Sequence, residues 1–377
     1  MFKIKFKDKK TDARIGEIKV NGKKIETPFF MPVATKASVK FINSELLKEM
    51  KAKAVISNAL ILSLKPGTKV IQKLGGLGKF MNFDFNVTDS GGFQMYSDTI
   101  YLGSDERGVK FRNPFSGEKI LMTPERDVEI QYELGSDIAM CLDSMPLYQH
   151  SKKEIEEAVN KTLIWAERCK KRHDRLQVQS RALKTTDKKK EQLLFGISQG
   201  GIYKDLREKC ILALKKMNFD GYSIGGFGLG ESAEEELEII KLQKKMIPDK
   251  PCYLMGIGNP AEIIEAIGLG VDMFDSRMPT QSARRGTIFT SSGKLKILNS
   301  KYKDDKEPLD KNCNCFVCKN YSRAYIRFQL MQEEAVGKLL SSYHNLYFLQ
   351  DLIEKAKVSI RKGEFSDFKK KIVRAYK

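Results

Sequence analysis

VDMFDSRMPT, the stretch from Val271 to Thr280, decides how this chain is read. Val271 to Phe274 form a short run of strand type that ends on a carboxylate, Asp275, and Pro279 keeps the strand from simply continuing. Basic sequence, QSARRG from Gln281 to Gly286, follows and reads as flexible. An acid where a buried strand ends, with arginines just beyond it, has the makings of a reactive carboxylate facing an anionic substrate. An aspartate at a strand end also serves as a cap or turn residue. Recurrence of the same arrangement along the chain is what favours the first reading.

Working outward, strand-like runs lie at Phe29 to Val33, Ala54 to Ser57, Phe85 to Thr88, Ile138 to Leu142, Leu194 to Ile197, Tyr222 to Ile224, Tyr253 to Met255 and Val271 to Phe274. Amphipathic patterns separate most of them, among them SELLKEMKA, SKKEIEEAVNKTLIWAERCKK, ESAEEELEIIKLQKKM and NPAEIIEAIGLG. Eight such units predict an α/β chain folded as a (β/α)8 TIM barrel, with continuous apolar runs buried on both faces of parallel strands. A doubly wound open sheet is the main rival, and no GxGxxG after an early strand supports its dinucleotide-binding form. Just past the runs stand Asp89-Ser90-Gly91-Gly92, Asp143, Gln199-Gly200-Gly201, Gly225-Gly226, Gly256 and Asp275. In a barrel all of them meet at the C-terminal mouth, where glycines let a ligand approach the backbone and Gln199 can read an amide or base edge.

Ahead of the barrel, Phe2, Ile4 and Phe6 alternate with lysines, and Ile15 to Val20 form a second run. Asn21-Gly22 is a hairpin turn, so a small antiparallel sheet is predicted there. The segment ALKTTDKKKEQ, Ala182 to Gln192, reads as a solvated loop, and KYKDDKEPLDK, Lys301 to Lys311, as a charged linker. The chain carries 67 basic against 48 acidic residues, a net charge of +19, which favours a polyanionic partner unless it reflects only general lysine richness. No run of about 18 apolar residues is present, and the N-terminus lacks the apolar core of a signal peptide; the expectation is a cytoplasmic protein.

Of seven cysteines, Cys141, Cys169, Cys210 and Cys252 are scattered, as reduced core thiols would be. Cys313, Cys315 and Cys318 are clustered, and His344 follows with 25 residues between. Three thiolates and one imidazole make a closed tetrahedral Zn2+ set with no open position for water, so the metal is expected to be structural. His150 and His173 sit in charged sequence and read as solvated. Arg323 and Arg327, with Tyr321 and Tyr325 at helical spacing, either contact phosphates and bases or belong to an ordinary amphipathic helix.

These residues together resemble the tRNA-guanine transglycosylase (queuine tRNA-ribosyltransferase) family of bacterial type. The resemblance runs from MPVATKASVK, Met31 to Lys40, through TDSGGFQ (Thr88 to Gln94), FGISQGG (Phe195 to Gly201), DGYSIGG (Asp220 to Gly226), YLMGIG (Tyr253 to Gly258) and DMFDSRMPT to the metal cluster. It implies an enzyme that exchanges guanine at the wobble position of a tRNA anticodon for a 7-deazaguanine. By motif match, Asp275 would be the nucleophile on ribose C1′ and Asp89 the general acid/base. Asp143, Gln199 and Gly226 would read the purine, with Ser90 and Phe227 in the same pocket. Phe93 would stack on the base and Met255 pack beneath it. Arg284 and Arg285 would hold the RNA. The resemblance further implies one structural zinc, no diffusible cofactor and a homodimer formed through the zinc region. It divides the chain into an N-terminal sheet (1–26), a catalytic barrel (27–300), a zinc-binding subdomain (301–349) and a C-terminal helix packed back on the barrel (350–377).

Departures from the family pattern bear on specificity. Gln281 stands where arginine is usual, Ser144-Met145 where Glu-Cys is usual, Phe227 for Leu, and Leu229 for a smaller residue. The bulk of Met145 and Leu229 disfavours queuine and leaves the aminomethyl and cyano precursors as candidate bases. Three readings stay open beside wobble exchange. One is a paralogue acting at another tRNA site or on DNA. Another is a zinc-bearing RNA-binding protein without catalysis. The third is a barrel hydrolase of small glycosides.

Overall fold

The computed structural model describes residues 2–146, 149–182, 191–228 and 230–376. Each of the eight predicted runs forms a strand: β1 Phe29–Pro32, β2 Val55–Asn58, β3 Asn86–Asp89, β4 Ile138–Met140, β5 Leu193–Ser198, β6 Gly221–Ile224, β7 Cys252–Leu254 and β8 Met273–Ser276. Their order is β1-β8-β7-β6-β5-β4-β3-β2, so every strand lies beside its neighbours in sequence, and all these pairings are parallel. The ring closes where Val33 bridges Ile56 and the Ala34 N–H donates to the Ile56 carbonyl at 2.7 Å. β1, β2 and β5 are buried along their whole length, which is why they read as unbroken apolar runs rather than alternating ones.

Helices clothe the ring as the amphipathic patterns require. The helix Ala233–Met246 opens with a reciprocal Ser232–Glu235 capping box, has acids in its first turn and ends on Lys244 and Lys245, which suits its dipole. Pro260–Gly268 starts on an Asn259 cap followed by proline. None of the described helices is long and apolar enough to cross a membrane.

The N-terminal strands Phe2–Lys7, Arg14–Val20 and Lys23–Thr27 pair antiparallel, with Asn21 and Gly22 at φ 51° and 72°, the signature of a tight hairpin. This sheet covers the barrel floor. Arg14 grips Asp272 through Nε at 3.1 Å and Nη2 at 2.6 Å, and Asp272 also accepts from the Thr27 hydroxyl and the Cys252 N–H. Across the floor Asp137 accepts from Lys23 at 2.9 Å, from the Asn86 N–H at 2.9 Å and from the Asn21 amide.

Beyond the barrel come the helices Phe316–Asn320, Arg323–Met331, Ala335–Lys362 and Phe365–Tyr376. Ala335–Lys362 continues unbroken past residue 349 and packs on the helix Met278–Arg284 and on β1, while Phe365–Tyr376 packs on Pro260–Gly268.

Several local expectations are corrected. Gln281 to Gly286 is not flexible, because the helix Met278–Arg284 takes in most of it, with Pro279 in its first turn. β8 does not stop at Asp275 but includes it and Ser276. His173 is buried: Trp165, Cys169, His173 and Gln177 recur every four residues on the inner face of the helix Lys152–Ala182. His150 is half-buried rather than solvated. Lys301 to Lys311 is tied down, with Leu309 and Asp310 buried and Asp310 accepting from the Ser291 N–H and hydroxyl. Two small sheets went unforeseen: Tyr101–Asp105, Gly108–Arg112 and Lys119–Met122 between β3 and β4, and the hairpin Thr287–Thr290 with Gly293–Lys296. Leu229 and most of the segment ALKTTDKKKEQ (183–190) lie outside the described residues.

Candidate active site

The C-terminal ends of the strands bring Asn58, Asp89, Asp143, Gln199, Gly226, Met255 and Asp275 around one mouth. Asn58 and Asp89 are register partners at the tops of β2 and β3. Asn58 Nδ2 donates to Asp89 Oδ2 at 3.3 Å and to Gln94 Oε1 at 2.7 Å, while its own Oδ1 caps the next helix through the Ile61 N–H. Asp89 Oδ1 is buried and has no hydrogen-bond partner among the described residues. Burial, reinforced by the negative charge of Asp275, pushes the Asp89 carboxyl up to about 7.

Asp275, at the top of β8, is held differently. Its Oδ1 accepts from the Tyr253 hydroxyl at 2.6 Å and from the Gly256 N–H at 2.9 Å. Burial raises its pKa as well, but both hydrogen bonds and the charge of Arg277 oppose the rise. Burial and the neighbouring carboxylates keep the Tyr253 phenol far above its usual pKa, so it remains a donor to Asp275. The two acids thus differ: burial and a like charge lift Asp89 to about 7, whereas at Asp275 two hydrogen bonds and Arg277 hold the rise back.

Between them in strand order stand Asp143 and Gln199, bonded to each other. Gln199 Nε2 donates to Asp143 Oδ2 at 2.6 Å, and Gln199 Oε1 is buried without a partner among the described residues. Burial pushes the Asp143 carboxyl up to about 6 against that hydrogen bond. Gln199 fits only because glycines stand opposite: a Cβ on Gly226, at φ +78°, would lie 2.5 Å from Oε1, and one on Gly225 would lie 2.9 Å from Nε2.

The other predicted site residues fall around this group. Ser90 is buried and accepts from the Gly92 N–H, and Phe93 is 49% exposed at the rim. Phe227 is buried with the Arg207 guanidinium 4.6 Å above its ring, and Met255 is half-buried against the core. Ser144 is buried and accepts from the Tyr96 hydroxyl at 3.1 Å. Arg284 stacks over Phe41 at 5.9 Å and Arg285 is exposed beside it. Arg323 and Arg327 both have partners within the chain. Arg323 pairs with Asp305 at 3.1 Å, and Arg327 donates to the carbonyls of Leu298 and Asn299. Asn58 and Tyr253 escaped the sequence reading, although Tyr253 lies inside a quoted motif.

Away from the mouth, Cys313, Cys315, Cys318 and His344 bring their ligand atoms within 4.8 Å of one another, a group that could hold a metal ion. The three sulfurs lie 3.9, 3.5 and 3.3 Å from His344 Nδ1, close to the edges of a tetrahedron of Zn–S and Zn–N bonds. His344 Nε2 donates to the Phe289 carbonyl at 2.8 Å, which leaves the Nδ1 lone pair facing the thiols. The next residue, Asn345, donates to the carbonyls of Pro279 and Thr287 and accepts from the Phe289 N–H, and Gln350 donates to the Phe30 carbonyl.

Known proteins share this plan. The queuine tRNA-ribosyltransferase family model matches residues 8–377. The queuine tRNA-ribosyltransferase of Thermoanaerobacter sp. (strain X514) is 45% identical over 372 residues, 98% of this chain and 96% of that protein. That of Lysinibacillus sphaericus is 44% identical over 370 residues, 98% and 94% of the two chains, and that of Halothermothrix orenii 41% over 377 residues, 100% and 97%. With the carboxylate mouth and the Cys3His group in place, the match over the whole length gives one conclusion: the chain belongs to the queuine tRNA-ribosyltransferase family.

Proposed function

We propose that this enzyme exchanges guanine at the wobble position of a tRNA anticodon for a 7-deazaguanine precursor of queuosine, by double displacement through Asp275. The observation that carries the reading is the unequal pair of acids, Asp275 braced by Tyr253 and Gly256 and Asp89 held at about 7. Oδ2 of Asp275 attacks ribose C1′ as the C1′–N9 bond of guanosine breaks. The electron pair goes to the leaving guanine, and Asp89 supplies its proton. The 7-deazaguanine then gives its N9 proton to Asp89 and attacks C1′, releasing the Asp275 carboxylate. Two inversions retain configuration, as in retaining glycosidases. One N-glycosidic bond replaces another, so no diffusible cofactor is needed.

Asp143 and the free Oε1 of Gln199 present acceptors to the N–H edge of the purine, Phe93 covers its face and Met255 its underside. Ser144, engaged by Tyr96, adds no negative charge where the family usually has glutamate, so the neutral cyano base is accepted beside the aminomethyl one. Arg284 and Arg285 hold the anticodon loop in our reading, within the +19 charge of the chain. Zn2+ is the metal that a Cys3His set favours, and it would fix the fold around His344 without touching substrate. Tyr325, Phe328, Met331 and Val336, all exposed, would form the face of a homodimer beside it. The four scattered cysteines, Cys141, Cys169, Cys210 and Cys252, are buried and free, in accord with a cytoplasmic location.

Incubation with bulk tRNA and radiolabelled guanine tests the exchange. Label should enter tRNA with the wild type, fail to enter with Asp275→Asn, and decline steeply with salt. No incorporation by the wild type sinks wobble exchange and turns the search to a DNA or other polynucleotide target. Cys315→Ala should release about one zinc per chain and lower the melting point; a metal-free wild type of full stability defeats the zinc assignment.

A further inference from the structure

Behind the base-reading wall lies a cation that none of the steps above uses. Arg207, on the helix Lys204–Lys216, is fully buried. Its Nε donates to the Gly201 carbonyl at 2.7 Å and its Nη1 to the Ser198 carbonyl at 2.9 Å. These two carbonyls flank Gln199. The guanidinium plane also carries the Phe227 ring at 4.6 Å. Its Nη2 is buried with no hydrogen-bond partner, and no carboxylate forms a salt bridge with Arg207 among the described residues. Burial lowers the guanidinium to about 10, which still leaves it charged at neutral pH.

For stability alone, an apolar side chain of similar volume would serve such a position as well or better, because burying a charge is costly even with the favourable Glu231 carboxylate nearby. A planar fork of donors does something an apolar chain cannot: it grips two carbonyls and an aromatic face at once. Gln243 completes the frame by donating to the Ser198 hydroxyl and to the Arg207 carbonyl.

We propose that Arg207 is the positioning residue of the base-reading wall, locking the turn that carries Gln199 and the ring of Phe227 into one rigid surface for the purine. The proposal rests on the base-exchange reading. It places no atom of Arg207 on the substrate. Its effect reaches the base through Gln199, whose Oε1 keeps its direction only while the Ser198–Gly201 turn is held.

The test compares wild type with Arg207→Lys, which keeps the charge but loses the fork and most of the stacking. Measured are the KM for guanine at saturating tRNA, the KM for tRNA at saturating guanine, kcat and the melting midpoint. We expect the guanine KM to rise ~10-fold or more, with the tRNA KM and the melting midpoint close to wild type. An unchanged guanine KM overturns the proposal. So do guanine and tRNA KM values that rise together with a lowered melting midpoint, since that is what a merely structural arginine would give. If Arg207→Lys does not fold, Gln243→Met removes the donors to the Ser198 hydroxyl and the Arg207 carbonyl and should raise the guanine KM about threefold; no change there overturns the proposal too. If the wild type does not exchange guanine at all, the base-exchange reading has failed by itself. Equilibrium dialysis of labelled guanine against wild type and Arg207→Lys then decides, and equal affinities defeat the role of Arg207.

Discussion

Asp272, just before β8, and Asp275, within it, stand three residues apart and belong to opposite ends of the barrel. At the floor, Asp272 is saturated: Arg14 holds both its oxygens, and Thr27 and Cys252 add further donors. At the mouth, Asp275 spends one oxygen on Tyr253 and Gly256 and leaves the other for chemistry. The contrast repeats half-way round, at β4, where Asp137 on the floor is held by Lys23, Asn21 and the Asn86 N–H, and Asp143 at the mouth has only Gln199. Saturated carboxylates hold a ring together. Carboxylates with an oxygen to spare can act on a ligand.

Four substitutions probe that division. Asp275→Asn should cut the proposed exchange by at least about 10⁴-fold with folding retained, read as label incorporation beside a melting curve. Substantial turnover would move the nucleophile elsewhere. Asp272→Asn should do the reverse. It strands Arg14 in the floor and should cost ~3–5 kcal/mol of stability by denaturant titration, while turnover per folded molecule stays near wild type. A variant that is stable but inactive would erase the distinction between floor and mouth. Gly226→Ala drives a methyl group into Gln199 Oε1 and should raise the guanine KM by about 10-fold or more, with a smaller loss of stability. An unchanged KM would mean that Gln199 does not face the base.

The last effect is a matter of pH and vanishes in acid. The Asp89 pKa is raised from 3.8 to about 7, so the folded protein binds the extra proton between those values and its stability falls as pH climbs through that window. Asp89→Asn removes the penalty. Its advantage over wild type should be absent below about pH 4 and grow by about 1.4 kcal/mol per pH unit up to pH 7, to roughly 4 kcal/mol at most. A difference that is flat with pH would show that Asp89 carries no raised pKa.

The ring and its mouth were legible because both follow from short-range pattern. Eight apolar runs between amphipathic stretches define strands, and each carboxylate sits at a fixed offset past its run. Partners were less legible. Asn58 reaches Asp89 across 31 positions because β2 and β3 align in register, and Tyr253 reaches Asp275 across 22 by the length of its side chain. Neither offset recurs. The errors have equally local causes. His173 was judged by its charged neighbours rather than by its four-residue spacing from Trp165 and Cys169. Arg323 was left between two readings, because its partner Asp305 lies in what reads as a linker. Pro279 was weighed as the end of a strand, and it also begins a helix.

The helix Ala335–Lys362 places His344 in the metal group, Asn345 on the segments that follow Asp275, and Gln350 on β1. One helix therefore ties the Cys3His group to the segments that carry the mouth. With an ion held there as proposed, its scarcity would lower the number of correctly assembled molecules before it lowered the rate of each.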